Sequence, residues 1–504
     1  MKLHPFSLLA FLISCSFLLP LGAADPVPLK NDRMGVVTHF CQKTRWMDNW
    51  DAERHIPMIA DLGVGWIREN ITPEEIEPER GVYRIPEKTW KWINLAQAHG
   101  LKIIVCFNGA TSRYPDGYDP QVYAKAAAWL AVQLKDKVQV MEIVNEPFNW
   151  YADYYRQGKA KSPGSWYGRQ SDGSLEPWMA RYVTLLNTTA DAIKKANPSM
   201  TVIGIGSVMP QNYLMLEMGI SKSVDGLTDH PYSFRSTPEI TPHAGNPEYI
   251  KKVGFAVADA DGSFASYVRR CREQMSKCNG PQQIWFTEFG YTTYREGHKS
   301  KKFMYSAVTE EAQAKYSLRR FMECLGLGVE VTVQYDFLED ELRGGEFEAE
   351  SRFGLVRNDG SLKPAYHAVR NLARSTADLR PGSSVKARVV PFSDRTEEHP
   401  RKWDGGPLPA LSRIMLYPFT NSHNEAVFAV WSAERPGDLN VRSADLEFAA
   451  PFNGTRVEVT DLMTGQTRVV KVDDMGGALA LRQFPVPDYP VLLRFIPSEP
   501  SKNQ

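Results

Sequence analysis

The chain has 504 residues, 43% of them hydrophobic and 11% aromatic, and that length calls for more than one ordinary core. Lysine plus arginine balance aspartate plus glutamate at 59 each. That neutrality argues against nucleic acid or an anionic membrane as the main partner.

The first element is a processing signal. Lys2 and His4 precede the apolar run "FSLLAFLISCSFLLPLG", and Gly22, Ala23 and Ala24 offer a cleavage site. The run is short and broken by Pro20, which disfavours a membrane anchor. "LISC", ending at Cys15, resembles a lipidation box, although the apolar run continues past that cysteine instead of turning polar. The expectation is removal of residues 1–24 and export to a secreted, periplasmic or cell-surface location, with a lipid anchor at Cys15 as the alternative. Export would place Cys41, Cys106, Cys271, Cys278 and Cys324 in an oxidising compartment. They are odd in number and sparse, without zinc spacing, so they read as buried small hydrophobes.

Over residues 25–378, strand-like runs alternate with amphipathic helices. The strand candidates are "MGVVTHF", "VGWIREN", "KIIVCFNG", "VQVMEIVNE", "TVIGIGS", "VDGLTDHPY", "QIWFTEFGY" and "VEVTVQYDF". Their apolar runs are nearly continuous, as parallel strands covered on both faces require. Helical segments lie between them, such as "PEKTWKWINLAQAHG", stopped by Gly100, and "DPQVYAKAAAWLAVQLKD", opened by Asp119 and Pro120. "KPAYHAVRNLARS" would be the closing helix. This is an α/β pattern, and its repeats predict a (β/α)8 TIM barrel. An open doubly wound sheet competes, but no glycine-rich phosphate loop follows the first strand.

Over residues 379–500 the texture changes to short β-rich runs separated by polar, Gly and Pro turns, which predicts a C-terminal antiparallel β-sandwich. Residues 392–408 read as a loose loop. Trp431 lies within an apolar strand pattern, so packing is expected of it rather than sugar binding. The sandwich is expected to cover the outer helices of the barrel.

In such a barrel, side chains at the C-terminal ends of strands point into the mouth. "VNEP" places Glu146 at the end of the fourth strand, and "TEFG" places Glu288 at the end of the seventh. Strands spaced ~4.8 Å and tilted ~36° give a barrel radius of roughly 7.5 Å, and a chord of roughly 14 Å across three strands. Two glutamates reaching inward ~4 Å each would leave their carboxylates roughly 5 to 6 Å apart, near the ~5–5.5 Å of retaining glycosidases and below the ~6.5–9.5 Å of inverting ones. A structural ion pair with nearby arginines is the plainer reading of each, but their combined placement favours catalysis.

The order of "NEP" after strand four and "TEFG" on strand seven resembles glycoside hydrolase clan A, particularly its cellulase-like family 5 and β-xylosidase-like family 39 members. "WIRENITPEEIEPERGVY", "HPY" and "RFGLVRNDGSLKPAYHAVRNL" extend the resemblance across the barrel. The resemblance implies a retaining glycosidase acting on β-linked glycans or glycosides, with Glu288 as nucleophile and Glu146 as acid/base. Arg68 would hold the nucleophile, with Glu142 as a deeper structural partner. Asn145 would bind the sugar 2-hydroxyl, and His230 and Tyr232 would hold sugar and nucleophile. Burial and the negative Glu288 are expected to raise the pKa of Glu146.

Trp150 leads a cluster with Tyr151, Tyr154, Tyr155, Trp166 and Tyr167 that offers stacking faces to sugars, some of these rings serving only to hold their loop. Two positions depart from the clan. Tyr335 or Phe337 in "VQYDFLED" replaces a tryptophan platform, and Asn108 in "CFNG" stands where cellulase-like members often carry histidine. Carbohydrate is the expected partner, with no metal or organic cofactor. The alternatives are a transglycosylase on the same site and a non-catalytic carbohydrate-binding barrel.

Overall fold

The computed structural model describes residues 30–41, 48–157, 167–206, 209–241, 250–251, 254–297, 305–340, 345–391, 397–399, 408–410, 413–437, 441–449 and 456–496. The leader over 1–24, with Cys15, and the ring of Trp166 lie outside them.

Strands β1 (Asn31–Val37), β2 (Val64–Ile71), β3 (Lys102–Phe107), β4 (Val140–Ile143), β5 (Thr201–Ile205), β6 (Gly226–Asp229), β7 (Gln283–Phe289) and β8 (Val331–Gln334) form a closed parallel barrel in sequence order. The expected (β/α)8 barrel is therefore present. Local chemistry sets its helix ends. Asp119 caps the helix Pro120–Gln133 by accepting from the backbone N–H groups of Gln121 and Val122. Gly63 stops the helix Ala52–Leu62 at φ 83°, a conformation that glycine adopts without penalty. No described helix is long and apolar enough to cross a membrane.

The barrel interior is built in tiers. Trp66, Ile104, Val140, Ile203, Trp285, Val331 and Val333 form an apolar plug. Two residues further along three of these strands, the same inward face presents Arg68, Glu142 and Thr287, all buried. Charges resting on an apolar plug have no water below them, so they must satisfy one another.

After the last barrel helix, Pro364–Thr376, the chain is all β. It forms β9 (Arg380–Pro381), β10 (Ala387–Pro391), β11 (Glu397–His399), β12 (Leu408–Ala410), β13 (Ile414–Thr420), β14 (Ala426–Ser432), β15 (Val441–Ala449), β16 (Arg456–Asp461), β17 (Thr467–Lys471), β18 (Asp473–Asp474), β19 (Ala478–Pro487) and β20 (Val491–Ile496). A six-stranded sheet, β17-β16-β20-β14-β13-β9, and a four-stranded one, β10-β15-β19-β18, share a core around Phe428, Phe448 and Phe495. The expected antiparallel sandwich is present.

Two details differ from the sequence reading. The stretch taken as a loose loop carries β11, paired with β12, in its described part. Neither "EEH" nor "LPA" has the apolar alternation that marks a strand. β19 is also absent from that reading, because Gln483 at φ 47° and Pro485 interrupt its pattern where β15 slips register.

The sandwich sits on the barrel helix Glu310–Gly326, whose residues Gln313–Leu325 are all buried. Trp431 is fully buried, as expected of a packing residue, and donates to Glu239 Oε1 at 2.8 Å. Met415, Phe419 and Leu492 from the sandwich join Leu318, Phe321 and Leu325 of the helix in one continuous core.

Candidate active site

The fourth strand stops earlier than its sequence suggests. β4 ends at Ile143, and Glu146 stands in a turn beyond it. Val144 and Glu146 take positive φ values of 66° and 39° there. These are costly conformations for side-chain-bearing residues, above all a β-branched one. The turn cancels the strand alternation, so the neighbours Asn145 and Glu146 both contribute to the mouth. β7 achieves the same by another device. Alternation from the inward Trp285 points Thr287 inward, and a register shift against β8 between Phe286 and Phe289 lets Glu288 join it.

Arg68 ties these parts together. Its Nε donates to Glu142 Oε2 at 2.5 Å, Nη1 to Glu288 Oε1 at 2.8 Å, and Nη2 to Asn145 Oδ1 at 2.7 Å. The planar fork thus fixes the carboxylate of Glu288 and the side chain of Asn145 in one geometry. Tyr232 donates to the other oxygen of Glu288 at 3.0 Å. The ion-pair reading of Glu288 therefore holds as well, because the arginine that pairs with it also orients it.

His230 stands between the two glutamates. Its Nδ1 lies 3.0 Å from Glu146 Oε1 and 3.5 Å from Glu288 Oε2, while Nε2 lies 3.1 Å from Thr287 Oγ1. Burial pushes the imidazole pKa down, but Glu288 and Glu146 outweigh it and raise it above the ordinary histidine value. The expected rise at Glu146 is not found. Burial pushes that carboxyl up, but His230 first, then Asn149 and Arg68, hold it below its usual value. The sequence reading weighed the negative neighbour, Glu288, and missed the cation in contact.

The donor atoms of Glu146, His230 and Glu288 all lie within 4.8 Å of one another, a unique grouping of this kind among the described residues. A small cation would fit that spacing, and Arg68 and His230 already stand against the two carboxylates there.

The other expected site residues divide. Asn108 Oδ1 accepts from the Asn145 backbone N–H at 3.1 Å, so it braces the turn. Trp150, 55% exposed, opens the short helix Trp150–Arg156 beside Glu146. Tyr335 is half-buried against His39 and Phe353 at ring distances of 5.8 and 5.4 Å. Phe337, its alternative as a platform, is fully buried among Trp50, His55 and Tyr366. Tyr154 accepts from the Gly117 N–H and Tyr155 donates to Asp116, so these two rings hold the loop together.

No protein-family model matches the sequence, and no curated protein matches it. Among solved structures, a family 39 glycoside hydrolase from the gut symbiont Bacteroides cellulosilyticus is similar at 19% identity and a TM-score of 0.63, over 93% of this chain and 81% of that one. At that identity the likeness is one of fold. A glucosidase from Croceicoccus marinus is similar at 11% identity and a TM-score of 0.51, over 94% of this chain and 98% of that one.

Two residues of the mouth escaped the sequence reading. Asn149 donates to Glu146 Oε2 at 2.7 Å, and Thr287 bridges His230 and Glu142. Asn149 gave no local signal, since its role depends on the turn at Glu146. Thr287 did give one, standing two residues beyond an inward tryptophan.

Proposed function

We propose that the protein is an exported retaining glycoside hydrolase that cleaves β-linked glycans or glycosides by double displacement. The observation that carries this reading is the shared position of Glu146 and Glu288 around His230 Nδ1, at 3.0 and 3.5 Å. Their nearest donor oxygens lie within 4.8 Å, where an inverting pair would need ~6.5–9.5 Å to admit a water. Arg68 and Tyr232 each hold one oxygen of Glu288 and aim it, so it attacks the anomeric carbon. Glu146 delivers a proton to the departing oxygen, and the glycosyl–Glu288 ester forms as the glycosidic bond breaks. In the second step Glu146 removes a proton from water, which attacks the same carbon and releases Glu288. Asn145, its carbonyl oxygen bonded to Arg68, keeps its amide N–H groups for the sugar 2-hydroxyl. Tyr335 lines the sugar site, and Trp150 faces the departing group.

A panel of β-aryl glycosides tests the reading. Glu288→Gln is nearly isosteric and should lower kcat by roughly 10⁴-fold or more with an unchanged melting temperature. Hydrolysis near the wild-type rate by that variant would remove Glu288 as nucleophile.

A further inference from the structure

Thr287 is fully buried one residue before Glu288 and has no path to substrate. Its hydroxyl carries a single proton. That proton is donated to Glu142 Oε1 at 2.9 Å. Glu142 pairs with Arg68 through its other oxygen and accepts from Thr287 at this one. With its proton committed, Thr287 Oγ1 must accept at its remaining contact, His230 Nε2 at 3.1 Å. Nε2 therefore carries hydrogen whatever the charge of the ring.

We propose that Thr287, oriented by Glu142, is a positioning residue that locks His230 in its Nε2–H form, so that Nδ1 and Glu146 share the acid proton. The inference rests on the reading of Glu146 as the acid/base. With Nε2–H fixed, the proton moves between Glu146 Oε1 and Nδ1 without changing the charge of the pair. In one arrangement the carboxylic acid donates to a bare Nδ1; in the other the imidazolium donates to the carboxylate. When the proton goes to the departing oxygen, Glu146 is left ionised, His230 is left neutral, and Nδ1 is bare. The opposite tautomer would set two lone pairs, on Nε2 and Thr287 Oγ1, against each other. It would also present a permanent Nδ1–H to Glu146, favouring the carboxylate, lowering the pKa and leaving less of the protonated acid. Glu146, Glu288 and Arg68 act on the ring, the buried Asp229 is coupled to it from the preceding position, and Glu142 lies behind Thr287.

Thr287→Val removes the hydroxyl at constant shape, and Thr287→Ser retains it. In full-length protein with ¹⁵N-labelled histidine, His230 being assigned through His230→Gln, wild type and Thr287→Ser should keep Nε2 protonated from acid to alkaline pH. Thr287→Val should gain an Nδ1–H form. Its kcat should fall about tenfold or more on poor leaving groups and less than about threefold on activated aryl glycosides, with KM little changed. The alkaline limb of its kcat/KM profile should move to lower pH, and serine should restore all three. A valine variant that keeps Nε2–H and the wild-type leaving-group dependence overturns the proposal, as does a serine variant that behaves like valine. If wild type hydrolyses no β-glycoside, the proposed activity falls, while the ring spectra still decide whether the tautomer is locked.

Discussion

Among the described residues, the barrel mouth and its junction with the sandwich each bury a guanidinium among carboxylates, and the two differ in their surroundings. At the junction of barrel and sandwich, Arg319 meets Glu239 at 2.7 and 2.5 Å, with both side chains 0% exposed. Its remaining donors go to the carbonyls of Ala433, Glu434 and Asp488, and Trp431 takes a further lone pair of Glu239. At the barrel mouth Arg68 is equally buried, but the Glu146 side chain is 29% exposed and that of Glu288 11%. Perturbed titration occurs at both. Beside Arg319, burial and the charge of Glu239 push Glu323 up to about 8. A shifted pKa alone therefore does not mark a working site. The mouth differs because Glu146 and Glu288 both face one imidazole and reach open space.

Substitutions should separate the two networks cleanly. Glu146→Ala acts at the mouth and should lower kcat on poor leaving groups by roughly 10²–10⁴-fold, sparing activated aryl glycosides. Added azide should rescue the second step and give a β-glycosyl azide; an α-azide would indicate inversion. At the junction, Arg319→Met leaves Glu239 buried with its charge unpaired, at a cost of about 3–5 kcal/mol in unfolding free energy. Denaturant titration measures this, and kcat per folded molecule should not change. A junction variant that lost activity while folded would erase the distinction between the two networks.

The smallest effect is expected at Glu323. Because its folded pKa of about 8 lies above that of an unfolded glutamate, near ~4.3, folding disfavours its ionised form. Its penalty is absent below the unfolded value and grows until the pH passes about 8. Glu323→Gln should therefore match wild type near pH 4, exceed it in stability near pH 9, and flatten the slope between. Melting temperatures across that range provide the check.

Most of the frame was legible in the sequence because it follows from alternation. Trp66 to Arg68, Val140 to Glu142 and Trp285 to Thr287 are each a single step of two residues from plug to polar tier. The carboxylates were legible from their place at the ends of strand-like runs and from the motifs around them, since alternation alone points Thr287 inward in place of Glu288. The turn that delivers Glu146 was not, since positive φ at Val144 runs against every local preference. Nor was the proton arrangement of His230, which depends on how β4, β6 and β7 align in space. At β19 the interruption by Pro485 concealed a long strand that only its pairing with β15 makes evident.

The helix Glu310–Gly326 carries Lys315, Arg319 and Glu323 at intervals of one turn, along a single face. Lys315 finds Asp488 at 3.1 Å, and Glu323 accepts from Tyr417 at 3.2 Å, both partners belonging to the sandwich. Ordinary barrel helices show water a polar face; this one shows its charges to another lobe. Parting the lobes would break the Lys315–Asp488 ion pair and the bonds of Arg319 and Glu323 to sandwich carbonyls and Tyr417, so the pair should melt as one cooperative unit. The barrel is not a free module. Grafted onto a different C-terminal companion, it would need that companion to carry the matching acid, carbonyls and phenol, or this helix to be rewritten.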